Sequence, residues 1–193
     1  MGERLAWAGK NILVQFRRSF EEGSVLGYVL AVGPRFFLLA LVEEDLKFNG
    51  FQCLRAQDVR DLQVPAKNAT FIEAALKLRG EKRPRSPAVA VDSLSELLRT
   101  AGRAFPLVTI HREATTPEIC HIGRVVAVSD SDVSLLEIGP DVEWDDEPCT
   151  YRLREITRVD FGGGYEEALW LVGGRSANDG KKSRTRQRPS RRG

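Results

Sequence analysis

Alternation of apolar and charged residues marks the segments of the chain that form β-strands. It occurs across 151–154 and again across 158–161. A period of two places every second side chain on the same face of a sheet. Runs rich in β-branched and aromatic residues occur at 27–42 and 123–138, and each is interrupted by turn-forming residues, GPR in one and SDSD in the other. The pattern predicts a mainly β protein (a β-rich α+β fold) whose strands have one solvated face.

The pattern occurs twice, which predicts an internal duplication. The sequence over 12–78 matches that over 106–172 in five blocks, with an offset between 94 and 97 residues. Self-similarity at a fixed spacing is the signature of repeated structural units. The alignment pairs three residues of special type: Gly27 with Gly123, Phe48 with Trp144, and Cys53 with Cys149.

Three helices are predicted beside these strands. Thr70 and Glu73 have the spacing of a capping box, in which a hydroxyl and a carboxylate satisfy free amides at a helix start. Ser93 and Glu96 have the same spacing before an apolar helical face. A third helix is predicted at Gly164, where glycine replaces the threonine. Each copy therefore consists of about five short strands followed by a helix, with one further helix between the copies.

Composition divides the chain into four segments. The two copies predict two small β domains, the first over 1–80 and the second over 91–173. The Pro- and Arg-rich stretch 81–90 between them predicts a linker. The segment 174–193 is basic and has few apolar residues, and it predicts a disordered tail.

A helix, about five short strands and a glycine early in the second strand resemble the Sm-like small barrel. The resemblance covers most of each copy and implies two tandem Sm-like barrels, each followed by a short helix. Sm proteins read RNA bases with an Asp and an Asn in the hairpin after this glycine, and they carry an Arg-Gly pair on the fourth strand. Those hairpin positions lie near Gly33 and Phe37 and near Ser129 and Val133, without the polar pair, and Arg158 is not followed by glycine. The resemblance therefore implies the fold without the family's uridine recognition.

Charge is distributed unevenly along the chain. The net charge is +2, but 1–172 carries 21 basic and 26 acidic residues. Seven basic residues lie within 181–192. Such a tail neutralises phosphates and releases their counterions, which gives a salt-dependent, sequence-blind affinity. The candidate nucleic-acid-binding residues are therefore Lys181, Lys182, Arg184, Arg186, Arg188, Arg191 and Arg192.

The remaining reactive side chains fit no established site. The acidic stretch 139–149 offers oxygen ligands but lacks the central glycine of an EF-hand, which favours a strand connection. No zinc-site spacing and no activating motif links His111, Cys120, His121 and Cys149. The glycines at 162–164 do not form a phosphate-binding motif. We therefore expect no cofactor, no metal and no catalytic residue.

Binding is then the expected function, with two classes of partner left open. A protein-interaction adapter or regulator would recruit another protein, or a second copy, through exposed barrel edges. A nucleic-acid-binding Sm-like protein would use the basic tail, and a metal- or thiol-dependent enzyme is the least favoured alternative. Three sparse cysteines and the lack of a long apolar run predict a cytoplasmic protein without a membrane partner. The excess of arginine and a resemblance of 151–169 to segments of uncharacterised bacterial proteins suggest a bacterial source.

Overall fold

Ten strands form one antiparallel sheet in the computed structural model, which describes residues 12–174. The strands are β1 (Leu13–Arg18), β2 (Ser24–Val32), β3 (Phe36–Val42), β4 (Phe48–Arg55), β5 (Val59–Gln63), β6 (Val108–His111), β7 (Cys120–Val128), β8 (Asp132–Glu137), β9 (Cys149–Arg152) and β10 (Arg158–Phe161). Three helices accompany them: α1 (Ala69–Leu78), α2 (Leu94–Ala104) and α3 (Gly164–Gly173). The prediction of a mainly β protein is confirmed. The predicted tail and its seven candidate binding residues lie outside the described residues.

The strand order is the same in the two halves of the chain. The sheet runs β5-β1-β2-β3-β4-β10-β6-β7-β8-β9. The first half (β1 to β5) and the second half (β6 to β10) each place their fifth strand beside their first, followed by the second, third and fourth. The halves meet where β4 pairs with β10, with Phe51 opposite Phe161 and Leu54 opposite Arg158. The sheet is therefore continuous through both halves.

Backbone hydrogen bonds also recur 96 residues apart. The β2–β3 turn is closed by a bond from Gly33 N to Phe36 O (2.8 Å). The β7–β8 turn is closed by a bond from Ser129 N to Asp132 O (2.9 Å). A register shift interrupts each of these hairpins at the same distance from its turn. The recurrence therefore extends from strand order to individual turns.

Glycine is required at one corresponding place in each half. Gly27 on β2 lies opposite Leu41, and Gly123 on β7 lies opposite Glu137. A Cβ atom on Gly27 would overlap the carbonyl oxygen of Ala40, and one on Gly123 would overlap that of Leu136. The requirement arises from the close approach of the next strand, since a side chain at either place would push the pair apart.

The correspondence between the halves shifts by one residue after the acidic connection between β8 and β9. Leu38 lies opposite Cys53, and the equivalent Ser134 lies opposite Thr150. By register Cys53 therefore corresponds to Thr150, and the sequence alignment of Cys53 with Cys149 is wrong by one residue. The extra residue lies in the connection itself, between the Ile138–Trp144 bridge and the pairing of β9 with β8.

The predicted helix starts are only partly confirmed. Ser93 precedes α2, and its Oγ accepts a hydrogen bond from Glu96 N (3.2 Å), which is the serine half of the predicted box; the Glu96 carboxylate pairs with Arg99. The box at Thr70 is wrong, because α1 begins at Ala69 and Thr70 already lies inside the helix. The residue before α1 is Asn68, which has a left-handed backbone (φ 59°) and caps no helix amide with its side chain. A polar residue in a helical first turn mimics the spacing of a box without forming one.

A short 3-10 helix replaces part of one predicted strand. The alternation across 151–154 predicts a strand, but β9 ends at Arg152 and the 3-10 helix Leu153–Glu155 follows. Its first amide, Leu153 N, donates to Ser131 O in the β7–β8 turn (2.8 Å). This contact from outside the segment ends the strand. The first half has the equivalent 3-10 helix Ala56–Asp58 at the same place.

Aromatic packing joins the two halves where β4 meets β10. The ring of Phe105, just after α2, lies 4.9 Å from that of Phe161 and 5.9 Å from that of Phe51, centroid to centroid. Phe51 and Phe161 are themselves 5.8 Å apart. Large buried rings contribute strongly to a core.

Within 12–174 no helix is long and apolar enough to cross a bilayer.

Candidate functional site

A cleft of about 450 Å³ lies at the junction of the halves. It is bounded by the β2–β3 turn, the β7–β8 turn and the start of α2. Its floor is apolar and includes the buried side chains of Phe36, Leu153 and Ile156. Small-molecule sites in proteins typically measure about 300–1,000 Å³. The cleft is therefore large enough to hold a group the size of a nucleotide.

Four arginines surround this floor. Arg35 lies in the β2–β3 turn, Arg55 at the end of β4, Arg152 at the end of β9, and Arg154 in the second 3-10 helix. We call these four residues the arginine cleft. Guanidinium groups bind phosphate and carboxylate oxygens in pairs and stack on planar rings. Their gathering around an apolar floor suits an anionic ligand with a planar part.

Two of these arginines are held by neighbouring carboxylates. Arg55 Nε donates to Asp58 Oδ2 at 2.7 Å, and both side chains are largely buried. Arg152 Nε lies 4.0 Å from Asp132 Oδ1, with more than half of the arginine side chain exposed. The first pair is a fixed part of the wall, whereas the second is long and loose.

The other two arginines are open to a ligand. The side chains of Arg35 and Arg154 are exposed and make no hydrogen bond or ion pair to another residue of the described chain. Asp92 and Asp130 also line the cleft, so its lining carries four arginines against two carboxylates. Residues 12–174 as a whole carry 19 basic and 25 acidic side chains. Since Asp58 and Asp132 pair with Arg55 and Arg152, the positive charge available to a ligand in the cleft is that of Arg35 and Arg154.

The start of α2 adds to the positive character of the cleft. Ser93, Leu94 and Ser95 line it, and α2 runs for 11 residues from this point. The first amides of a helix lack intrahelical partners and carry a partial positive charge. Ser93 satisfies one of them, the amide of Glu96. Serine hydroxyls and helix amides are ordinary donors to phosphate oxygens.

The walls of the cleft come from equivalent parts of the two halves. Arg35 O accepts from Ala56 N at 2.9 Å in the first half. Ser131 O accepts from Leu153 N at 2.8 Å in the second half. In each half this bond fixes the turn against the 3-10 helix and so positions the preceding arginine, Arg55 or Arg152. The two sides of the cleft nevertheless differ in charge, because the equivalent turn residues are Arg35 in the first half and Ser131 in the second.

A buried ion-pair network connects the halves beside the β4–β10 junction. Arg18 of β1 donates to Glu113, after β6, through Nη1 (2.8 Å) and Nη2 (2.6 Å). Burial alone would raise the pKa of Glu113, but hydrogen bonds from Arg18 and Thr157 and the charges of Arg18 and Arg158 hold it below its ordinary value. Both carboxylate oxygens of Glu113 accept hydrogen bonds, one from Arg18 and the other from Arg18 and Thr157, so the network ties β1 to the segment after β6.

The histidines and cysteines divide between opposite faces of the sheet. His111 lies opposite Cys120, and its Nε2 is 3.0 Å from Asp160 Oδ2. His121 lies on the other face, with Nδ1 2.8 Å from the hydroxyl oxygen of Tyr151. Cys120 and His121, adjacent on β7, therefore point to opposite faces. The four side chains therefore do not form one site.

The thiols are not activated for nucleophilic attack. Burial raises the pKa of Cys53 and of Cys120, and the negative charge of Asp160 raises both further. A reactive cysteine needs a lowered pKa, because the thiolate is the nucleophile. Cys53 is buried, while Cys120 and Cys149 are exposed.

The glycines before α3 hold a protein side chain in place of a phosphate. Gly164 N donates to Asn49 Oδ1 of β4 at 2.7 Å. Gly162 has φ +68°, and a Cβ atom there would lie 2.7 Å from the ring of Phe105. The three glycines therefore allow the turn to pack against the junction.

The acidic connection between β8 and β9 folds back on β8. Asp145 N donates to Glu137 O at 3.0 Å, and Trp144 pairs with Ile138. This return brings together Glu137, Asp145 and Cys149, each with one ligand atom within 4.8 Å of the others. The prediction of a strand connection is correct, but the connection also assembles donor atoms that spacing along the sequence did not indicate.

Sequence reasoning missed the arginine cleft. Its four arginines lie in turns and strand ends that come together only when β4 pairs with β10. The one available signal was that Arg55 and Arg152 stand before equivalent segments in the two copies.

No protein-family model, no curated protein and no solved structure matches the chain.

Proposed function

We propose that the chain is a duplicated pair of Sm-like small barrels that binds single-stranded nucleic acid at the arginine cleft, without catalysis. The strand order common to the two halves supports the duplication, as do the turn bonds repeated 96 residues apart. Gly27 and Gly123 support it further, because each sits against a main-chain carbonyl oxygen at the equivalent position of the following strand, that of Ala40 or Leu136. A single duplication followed by divergence would account for the shared strand order, the repeated turn bonds and the two glycines together.

The binding proposal rests on one observation, the unpaired arginines over an apolar floor. Arg35 and Arg154 are the cationic side chains of the cleft without a partner in the described chain, and an anion would supply one. Charge-assisted hydrogen bonds to phosphate are stronger than neutral ones. The apolar floor beneath them suits the face of a base. A phosphate group next to a planar base is the repeating unit of a nucleic acid strand.

The shape of the cleft favours a single strand over a duplex. Single-stranded bases can turn outward, stack on side chains and enter a concave site, whereas bases in a duplex are already stacked and paired. The body outside the cleft is acidic and repels phosphate on average. The basic residues 181–192 would add sequence-blind affinity to the same strand. The cleft then supplies local contacts, and the tail supplies general attraction.

A charge-matched pair of variants tests this proposal. The full chain is titrated into a fluorescein-labelled single-stranded RNA of mixed sequence, and binding is followed by polarisation. The double substitution Arg35→Ala with Arg154→Ala is expected to weaken binding about tenfold or more, because two charged hydrogen-bond donors are lost. The control is Arg17→Ala with Arg60→Ala, which removes the same charge from exposed positions outside the cleft.

The Arg17→Ala with Arg60→Ala control separates binding at the arginine cleft from attraction that depends only on the net charge of the protein. Equal weakening by the two double variants would show that the affinity follows net charge and would overturn the cleft as the site. Competition by duplex RNA as effective as that by the single strand would overturn the preference for single strands. Circular dichroism of all variants checks that the fold is retained.

A second candidate function, association with a protein, is favoured by apolar side chains on α1 and α3. Phe71 is 66% exposed and Leu78 88% on α1, while Tyr165 is 55% and Val172 75% exposed on α3. These residues hold matching places in the two helices. The sheet edges suit a partner less well, because β9 has four residues after Pro148 and β5 is interrupted by a bulge at Asp61. We therefore place self-association on the helices.

Sedimentation equilibrium tests this second candidate. Phe71→Glu with Tyr165→Glu is expected to shift any oligomer of the full chain toward the monomer, since charged side chains oppose burial. Val126→Glu on β7 is the matched control, because Val126 is also half-exposed but lies outside the helices. A wild-type chain that is monomeric at all concentrations would overturn self-association through this surface.

A further inference from the structure

Three donor atoms of different chemistry meet where β8, β9 and their acidic connection come together. Glu137 ends β8, Asp145 lies in the connection, and Cys149 begins β9. Their ligand atoms all lie within 4.8 Å of one another. Atoms that bind one zinc ion at about 2.0–2.3 Å lie within such a distance of each other. Small side-chain rotations therefore suffice to bring the three atoms onto a common centre.

The backbone fixes this arrangement. The amide of Asp145 donates to Glu137 O at 3.0 Å, which holds the two acidic residues side by side. Cys149 is held by its pairing with Leu135, two residues before Glu137 on the same strand. The three residues are therefore placed by main-chain contacts that do not depend on their side chains.

The carboxylate of Glu137 is oriented by its neighbours. Tyr151 donates its hydroxyl hydrogen to Glu137 Oε1, and His121 Nδ1 lies 3.1 Å from Glu137 Oε2. The imidazole is held in turn at Nε2, which lies 3.3 Å from Arg112 Nη2. Metal-binding carboxylates typically have such outer hydrogen bonds, which fix their direction. Each oxygen retains a lone pair for a cation, because an ionised carboxylate accepts about four contacts.

The donor set selects a borderline metal. A cysteine thiolate is a soft ligand and favours zinc or a similar ion, whereas Ca²⁺ and Mg²⁺ take oxygen ligands. A cation bound among the three donors would also offset the two negative charges that Glu137 and Asp145 place beside Cys149.

We propose that Glu137, Asp145 and Cys149 form a zinc-binding site with one open coordination position. The ion takes one oxygen from each carboxylate and the sulfur of Cys149, whose proton passes to solvent. It thereby fastens the acidic connection to the ends of β8 and β9. The site belongs to the second half, because the first half has Leu41, Asn49 and Gln52 at the positions equivalent by register. It is independent of the arginine cleft.

Cobalt spectroscopy on the full chain tests this site. Reduced protein is freed of metal with a chelator and titrated with Co²⁺, whose bond to a thiolate produces a charge-transfer absorption band. We expect a band that saturates at one ion per chain and disappears when Zn²⁺ is added. Cys149→Ser is expected to abolish the band and to weaken Zn²⁺ binding by more than about tenfold, since even outer-shell changes cost about 10–100-fold.

Matched variants exclude the other cysteines and acids. Cys120→Ser removes the other exposed thiol and is expected to leave the band intact. Glu137→Gln and Asp145→Asn are each expected to weaken Zn²⁺ binding, while Asp146→Asn, the adjacent acid, is expected to change it little. A band retained in the Cys149→Ser variant would overturn the proposal. So would the absence of any band, or binding of Ca²⁺ as tight as that of Zn²⁺.

Discussion

Arg18 and Glu113 form a buried, two-pronged ion pair between the first and second halves of the chain. Both nitrogens of the Arg18 fork reach the carboxylate of Glu113, at 2.8 and 2.6 Å. The side chain of Arg18 is fully buried, and that of Glu113 is 7% exposed. Bidentate arginine–carboxylate pairs are among the stronger polar contacts in proteins. The pair therefore links the two halves beside Arg158 of β10, which pairs with β4.

Removal of one member of this pair is expected to destabilise the fold. Glu113→Gln leaves the charge of Arg18 buried with Glu21 as its one remaining charged partner among residues 12–174. We expect a loss of about 3 kcal/mol in the free energy of unfolding, the lower end for a broken buried pair. Urea unfolding at neutral pH measures it. Asp45→Asn, in the exposed pair with Lys47, is the control and is expected to leave the midpoint unchanged.

The contribution of Glu113 is expected to depend on pH in a defined direction. Its pKa in the folded state lies below the ordinary value of 4.5, so its stabilising effect is complete above that value. The effect is lost as pH falls from there through the lower, folded-state pKa. The stability difference between the wild type and Glu113→Gln should therefore shrink from about pH 6 to about pH 3. A difference that stayed constant over this range would show that the ionised form contributes nothing.

The two equivalent glycines are expected to respond alike to substitution. Gly27→Ala and Gly123→Ala each place a methyl group against a main-chain carbonyl of the next strand. We expect each to lower the free energy of unfolding by about 1–3 kcal/mol, as overpacking typically does. Gly23→Ala is the control, because no atom lies within 4 Å of the added methyl group. A neutral effect at one glycine alone would contradict the equivalence of the two hairpins.

Truncation after residue 180 is expected to separate the two parts of the proposed nucleic-acid interaction. Loss of the seven basic residues in 181–192 should lower the affinity for single-stranded RNA at low salt. It should also reduce the slope of log affinity against log salt by up to about five, since each phosphate contact contributes about 0.7. The binding that remains should still weaken on Arg35→Ala with Arg154→Ala. Undiminished affinity after truncation would exclude the tail as a contributor.

Local features of this fold could be predicted from sequence, and features that depend on distant contacts could not. The hairpins at 27–42 and 123–138, the capped start of α2 and the places of the two glycines follow from residue patterns within a few positions. The false capping box at Thr70 has the right spacing, but the chain enters the helix earlier. The 3-10 helix after β9 depends on a bond to Ser131, more than 20 residues away in the chain.

The candidate sites depend on the same distant contacts. Arg35 and Arg154 become neighbours of one cleft only through the β4–β10 pairing, which no local pattern indicates. The donors Glu137, Asp145 and Cys149 have no regular spacing, because they come together only where the connection folds back on β8. Sequence motifs detect sites built on one element, and both of these sites are built on several.

The β4–β10 pairing also sets the order in which the chain can mature as it is synthesised. Leu54 of β4 lies opposite Arg158 of β10, so β4 cannot pair with its second neighbouring strand until residue 158 has been synthesised and has left the ribosome. Until then the first half presents an open strand edge to other nascent chains, the situation in which incomplete β proteins aggregate. Contacts this far apart in the chain also form slowly. Yield in the cell should therefore depend on the speed of synthesis and on chaperone supply, even for variants whose final stability is unchanged.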